Sequence, residues 1–276
     1  IKATIPAISK TLMSQTKRYN LSINQTLVKS YILKKAKFRT DLHTHMNANL
    51  SADCLIALGL RHQIKYPLYY IKKINLKLTE KQEKEIYEQR KKVEKQFENS
   101  ELQGKYLTRR IDDNTFINFA DLILNNIENA PENIAKIRKS LEILKDGQAV
   151  FTNLEKLYLY RYVFAKGTES TEKIKLEKSK IEQIPDKEIK EMLTKMIEDT
   201  QKGSPYAKNN LRQDKLLWIA REYQKQGIYY TEISDTTLTK KGTPAIELLE
   251  DVHQIMPQIE KETGVNKWWI KIRLPC

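Results

Sequence analysis

The sequence predicts an α/β fold with a parallel sheet and a large helical insertion after the first strand. Three observations carry this. An extended run, Phe38–Leu42, precedes a long series of amphipathic helical patterns. The second half then twice repeats helix, glycine, strand: Leu211–Gln226, Gly227, Ile228–Ile233, followed by Thr243–Thr263, Gly264, Lys267–Leu274. A helix between successive strands demands crossovers, and these join parallel neighbours rather than hairpins.

In chain order, residues 1–36 read as a leader or the end of a preceding domain, with 37–276 as the main domain. Within the leader, Ser22 and Asn24 lie before a helical pattern over Thr26–Lys37, with Leu27, Tyr31 and Ile32 on one face. Ser51 supplies an N-cap for Ala52–His62. Thr79 and Gln82 have capping-box spacing and open a polar helix reaching about Phe97. Thr115–Leu124 and Pro131–Leu144 are apolar at helical period, and the aromatic, leucine-rich Phe151–Phe164 reads as a buried helix. Lys166–Lys180 is charge-rich and reads as a linker or exposed insertion. Pro185–Thr200 turns Ile189, Met192, Met196 and Ile197 inward, and no repeat of fixed period runs through the chain.

Composition excludes several classes. Of 276 residues, 40% are hydrophobic and 30% charged, an ordinary polar-leaning balance. No apolar run of about 18 residues exists, so no membrane span is expected. No secretory pattern opens the chain. Cys54 and Cys276 lie far apart, which gives neither a disulfide framework nor a paired-cysteine metal site and fits a cytoplasmic protein. The formal net charge is +14, but the cations are mostly lysines interleaved with glutamate, as in Lys81-Gln82-Glu83-Lys84-Glu85. That pattern reads first as solvated helix faces; nucleic acid stays open as a partner without being favoured. The chain starts at Ile1 and stops just after a strand pattern, which reads as a piece of a longer parent chain.

Half of the four histidines, His43 and His45, flank Thr44 directly after the first extended run. Strand residues two apart point to one face, so both imidazoles can reach one metal ion. The alternative is a pair that caps the strand and hydrogen-bonds to loops.

The surrounding "TDLHTHMNANLSADCLIALG" resembles the first-strand signature of the adenosine deaminase family of metal-dependent amidohydrolases. Thr115–Phe119 resembles that family's helix over the purine pocket, and Leu217–Glu232 its helix and second strand. The resemblance implies the N-terminal part of a (β/α)8 TIM-type barrel and zinc-dependent hydrolytic deamination of an adenine nucleoside or nucleotide. It makes His43 and His45 zinc ligands, sets Asn47 against the sugar, and lines the base with Phe116 and Phe119. It also allows residues 1–36 to belong to a regulatory domain. The sequence departs from the family at Ala48, where glycine is usual, and at Asn47, where aspartate is common. His62 and His253 stand in no matching motif; they read as a surface or capping residue and a core-edge or solvent-facing one. A third ligand and the proton-donating Glu are therefore missing, and the catalytic residues are unassigned. The alternative function is a non-catalytic helical binding protein with a basic surface for nucleic acid or another anionic partner.

Overall fold

Local signals, chiefly caps and strand alternation, determine most of the elements. The computed structural model of the chain describes residues 39–46, 49–142, 151–201, 203–239, 242–263 and 269–273. In order these give β1 (Arg39–His45), α1 (Ala52–His62), β2 (Lys65–Pro67), α2 (Leu68–Lys73), α3 (Glu80–Gln96), α4 (Gly104–Asp113), β3 (Phe116–Asn118) and α5 (Phe119–Leu124). There follow α6 (Ala130–Leu141), α7 (Asn153–Tyr158), α8 (Lys178–Glu182), α9 (Lys187–Glu198), α10 (Leu211–Lys225), β4 (Ile228–Ser234), α11 (Thr243–Thr263) and β5 (Trp269–Arg273). The expected leader helix over Thr26–Lys37 lies outside the described residues.

The caps act as their side chains allow. Ser51 accepts from the Cys54 amide at 3.2 Å, and Thr79 and Gln82 close a reciprocal capping box on α3. Gly227 ends α10 at φ +71°, a conformation that costs other residues and suits glycine. The chain then turns directly into β4. As the crossover argument requires, β1 pairs in parallel with β4, and β4 with β5.

The expected barrel is not formed. The sheet order is β1–β4–β5, three strands that do not close, with a separate antiparallel pair β2–β3. Closure into an eight-stranded barrel needs a continuous ring of pairing, and the described strands are too few. The helices between β1 and β4 are accordingly not an insertion in a barrel. They are the body of the fold and hold most of its core.

That core centres on α1, which packs on α9, α6, α5 and α10 and buries Leu55, Ile56, Leu58 and Leu60 completely. Gly59 lets α1 approach the Phe119 ring; a Cβ there would stand 2.9 Å from it. Phe119 also meets Tyr66 and Phe164, with ring centroids at 5.2 and 5.9 Å. Two stretches differ from their sequence patterns. Within the helical-looking Thr115–Leu124, Phe116–Asn118 pairs with β2 before Asn118 caps α5 through the Ala120 amide at 2.9 Å. Lys166–Lys180 is tied down rather than loose. Gln63 holds it by bonding both the amide and the carbonyl of Ile174 at 2.8 Å, while its own carbonyl accepts from Ser170 at 2.7 Å.

Candidate nucleic-acid interface

The histidine pair lies in β1, whose register against β4 shifts between Asp41 and Thr44. His43 and His45 are both exposed near the C-terminal end of β1, with ring centroids 5.6 Å apart in an edge-to-face arrangement. Asp41, two residues before His43, is engaged elsewhere: its carboxylate accepts from the Tyr223 hydroxyl at 2.6 Å and the His43 amide at 3.3 Å. Among the described residues no group of three His, Cys, Asp or Glu side chains could hold a metal ion. Zinc needs at least three protein ligands even in an open catalytic site, so the expected zinc centre is corrected.

The other motif residues are dispersed. Asn47 lies outside the described residues. Phe116, in β3, lines a surface groove of about 620 Å3 with Gln82, Asn118 and Lys173, while Phe119 is wholly buried in the core. β3 and β1 belong to different sheets. His62, read from sequence as a surface or capping residue, is buried, its Nε2 2.6 Å from an Asp214 carboxylate oxygen. His253 is exposed on α11.

A different surface gathers chemistry. α4 and α7 are both anchored to α2, and Glu155 on α7 is the junction. Its carboxylate accepts from the Tyr69 hydroxyl at 2.5 Å and the Thr152 amide at 2.8 Å, and pairs with Lys73 at 3.3 Å. Burial acts to raise the Glu155 pKa, but these hydrogen bonds outweigh it and hold the carboxyl below its usual range. From α4, Arg109 lays its guanidinium 3.3 Å over the Tyr69 ring while pairing with Asp113 at 2.8 Å. Buried Asp112 takes Lys72 at 2.7 Å and Arg90 at 2.9 Å. The acids beneath this face are therefore taken up internally.

The outward residues here include aromatic and basic ones. Tyr106 on α4 is 66% exposed, with the Lys105 ammonium 5.4 Å from its ring centroid. Arg110, one helical turn on, is exposed and shares its face. Leu159–Val163 continues α7 as a π-helical turn, a distortion frequent at functional sites. It presents Arg161 and Tyr162, the latter 56% exposed and 5.2 Å from the half-buried Tyr158 ring. Tyr158 links the two helices: burial and Asp113 raise its hydroxyl pKa, and Arg110 and Arg109 act against them from α4. Among the described residues neither Arg110 nor Arg161 pairs with a carboxylate.

Sequence reasoning missed this face. Its signal was Tyr106-x-x-x-Arg110 and Tyr158-x-x-Arg161-Tyr162, aromatic and basic residues at helical spacing.

Comparisons with family models, with curated proteins and with solved structures find no match for the chain. The open three-stranded sheet and the lack of a metal-holding cluster among the described residues overturn the adenosine-deaminase reading. The described residues hold no metal-centred catalytic site for an adenine nucleoside or nucleotide. The zinc hydrolase, its TIM barrel and its purine substrate fall together. Among the described residues no helix is long and apolar enough to cross a membrane.

Proposed function

We propose that this chain is a non-catalytic, mostly helical binding protein that engages nucleic acid through a basic surface. One observation carries the reading. Among the described residues Arg110 and Arg161 stand unpaired with acids beside exposed tyrosines, while Asp112, Asp113 and Glu155 are buried in internal pairs. An exposed arginine with no carboxylate partner keeps its full attraction for phosphate, and its planar fork suits phosphate geometry. Residues 1–38 strengthen the balance, carrying eight Lys and Arg and no Asp or Glu, more than half of the net +14. Cys54, buried and free, fits a reducing cytoplasm.

The test is salt dependence. Fluorescence anisotropy with a labelled oligonucleotide should show log affinity falling linearly with log salt, by about 0.7–0.9 for each phosphate neutralised. A slope near zero, or no binding by micromolar protein at about 50 mM salt, refutes the reading.

A further inference from the structure

We infer that the strand recognised is single, its bases laid against the outward tyrosines of α4 and of the π-helical turn; this rests on the nucleic-acid reading above. The argument starts from what each exposed group can contact. A cation on a smooth surface meets phosphates of a duplex or a single strand equally well. A tyrosine face does not, because bases in a duplex are already stacked and their π-faces are hidden. Tyr106 and Tyr162 each leave more than half of the side chain in water. Among the described residues no ring stacks face to face on either: Tyr106 has the Lys105 ammonium near its ring, and Tyr162 meets the Tyr158 ring at a tilt of 42°. Among the described residues a large part of each ring is thus left to a ligand.

Each tyrosine also has an exposed arginine on its own element, the cation a backbone needs. Arg110 shares the α4 face with Tyr106 and reaches Tyr158 electrostatically, and Arg161 is adjacent to Tyr162. Each outward aromatic therefore has a basic residue on its own element, Arg110 with Tyr106 on α4 and Arg161 with Tyr162 on the π-helical turn, which suits a chain that offers both bases and phosphates. The platform is also stiff. Tyr158 stacks on Tyr70 at 6.1 Å and 25°, and Tyr70 donates to the Glu155 carbonyl at 3.1 Å. A fixed support lowers the ordering cost of binding. α4 is packed against α2 and α3 rather than projecting as an isolated recognition helix into a groove.

The experiment uses the full 276-residue chain. Anisotropy is measured for a mixed-sequence oligonucleotide of about 16 nucleotides, for the same sequence as a duplex, and for labelled poly-glutamate as an acidic-protein mimic. The single strand should bind tightest. Tyr106→Ala and Tyr162→Ala should each weaken it about tenfold, with Tyr106→Phe and Tyr162→Phe restoring affinity because the ring carries the stacking. Thermal unfolding should not move, as both side chains are exposed. Equal affinity for strand and duplex, or neutral tyrosine variants beside an Arg110→Ala variant that still weakens binding, overturns stacking and leaves the basic-surface reading intact. Poly-glutamate bound as tightly as the single strand, with the same tyrosine dependence, overturns it in favour of an acidic protein partner. Binding of none of the three probes overturns both readings.

Discussion

Helix α10 and the α4–α7 face carry the same kinds of residue to opposite ends. On α10 the cations turn inward. Arg221 is buried, with both terminal guanidinium nitrogens 3.0 Å from an Asp199 oxygen, a further bond to Glu262 at 2.9 Å, and its guanidinium carbon 4.9 Å from the Trp218 ring. Lys215 is buried beside the Phe164 carbonyl, to which it donates. On α4 and the π-helical turn, Arg110 and Arg161 turn outward and meet no acid among the described residues. A net charge of +14 therefore says little until each cation is traced to its partner. Cations held by internal acids stabilise the fold; the remainder are available to a ligand.

The largest expected effect tests that division directly. Arg221→Ala leaves Asp199 and Glu262 without their shared cation, and Asp199 is 8% exposed. Breaking such a buried pair costs about 3–5 kcal/mol, read as a drop in the urea midpoint. Arg110→Ala, matched in chemistry but exposed, should change stability by no more than about 0.5 kcal/mol. Comparable losses from the two variants would erase the distinction between inward and outward cations.

A smaller effect comes from Lys215, whose pKa burial pushes down to about 7, with Asp235 partly offsetting. The folded value lies below the ordinary 10.5, so between these two pH values the unfolded chain holds a proton that the folded chain lacks. Stability therefore rises with pH across that window, by up to about 1.4 kcal/mol per unit, and this contribution is flat below pH 7. Cys54 has the opposite sign. Its thiol is raised by burial, so its contribution is complete below its ordinary 9.0 and declines above it. Subtracting the denaturation curves of Lys215→Met from those of the unmodified chain cancels the burial part of the Cys54 contribution and leaves only the smaller interaction between the two groups. The difference should rise from pH 7 to 10; a flat difference means Lys215 titrates normally and α10 is less closed than described.

Much of the fold was legible because its signals are local. The Ser51 cap, the Thr79–Gln82 box and the left-handed turn at Gly227 each act within a few residues, and the interposed helix forced β4 and β5 into parallel pairing. The illegible parts depend on partners distant in sequence. Ile117 reads as helical until Tyr66 pairs with it, and His62 reads as a surface residue until Asp214 arrives from 152 positions away. The candidate site follows the same rule. Spacing alone suggested one face for His43 and His45, but spacing cannot supply a third ligand. Nor could it show which of 14 tyrosines stay outside, because Tyr106 is exposed only through the way α4 packs on α2 and α3.

The smallest expected effect concerns that histidine pair, and it sharpens the contrast from the other side. A ligand that binds only the folded state stabilises it by about 2.7 kcal/mol at a hundred times its dissociation constant, which for a chain of this size shifts Tm by several degrees. A complete zinc site would meet that condition at micromolar metal. Two exposed imidazoles, with Asp41 engaged by Tyr223, supply half of a tetrahedral set and leave the ion mostly hydrated. Added zinc should therefore shift Tm by less than about 1 °C, and His43→Ala should change stability by no more than about 0.5 kcal/mol. Differential scanning fluorimetry with and without a chelator measures both. A zinc-dependent rise of several degrees that disappears in His43→Ala would mean that further ligands close on β1, and the outward face of α4 and α7 would lose its standing as the molecule's principal site.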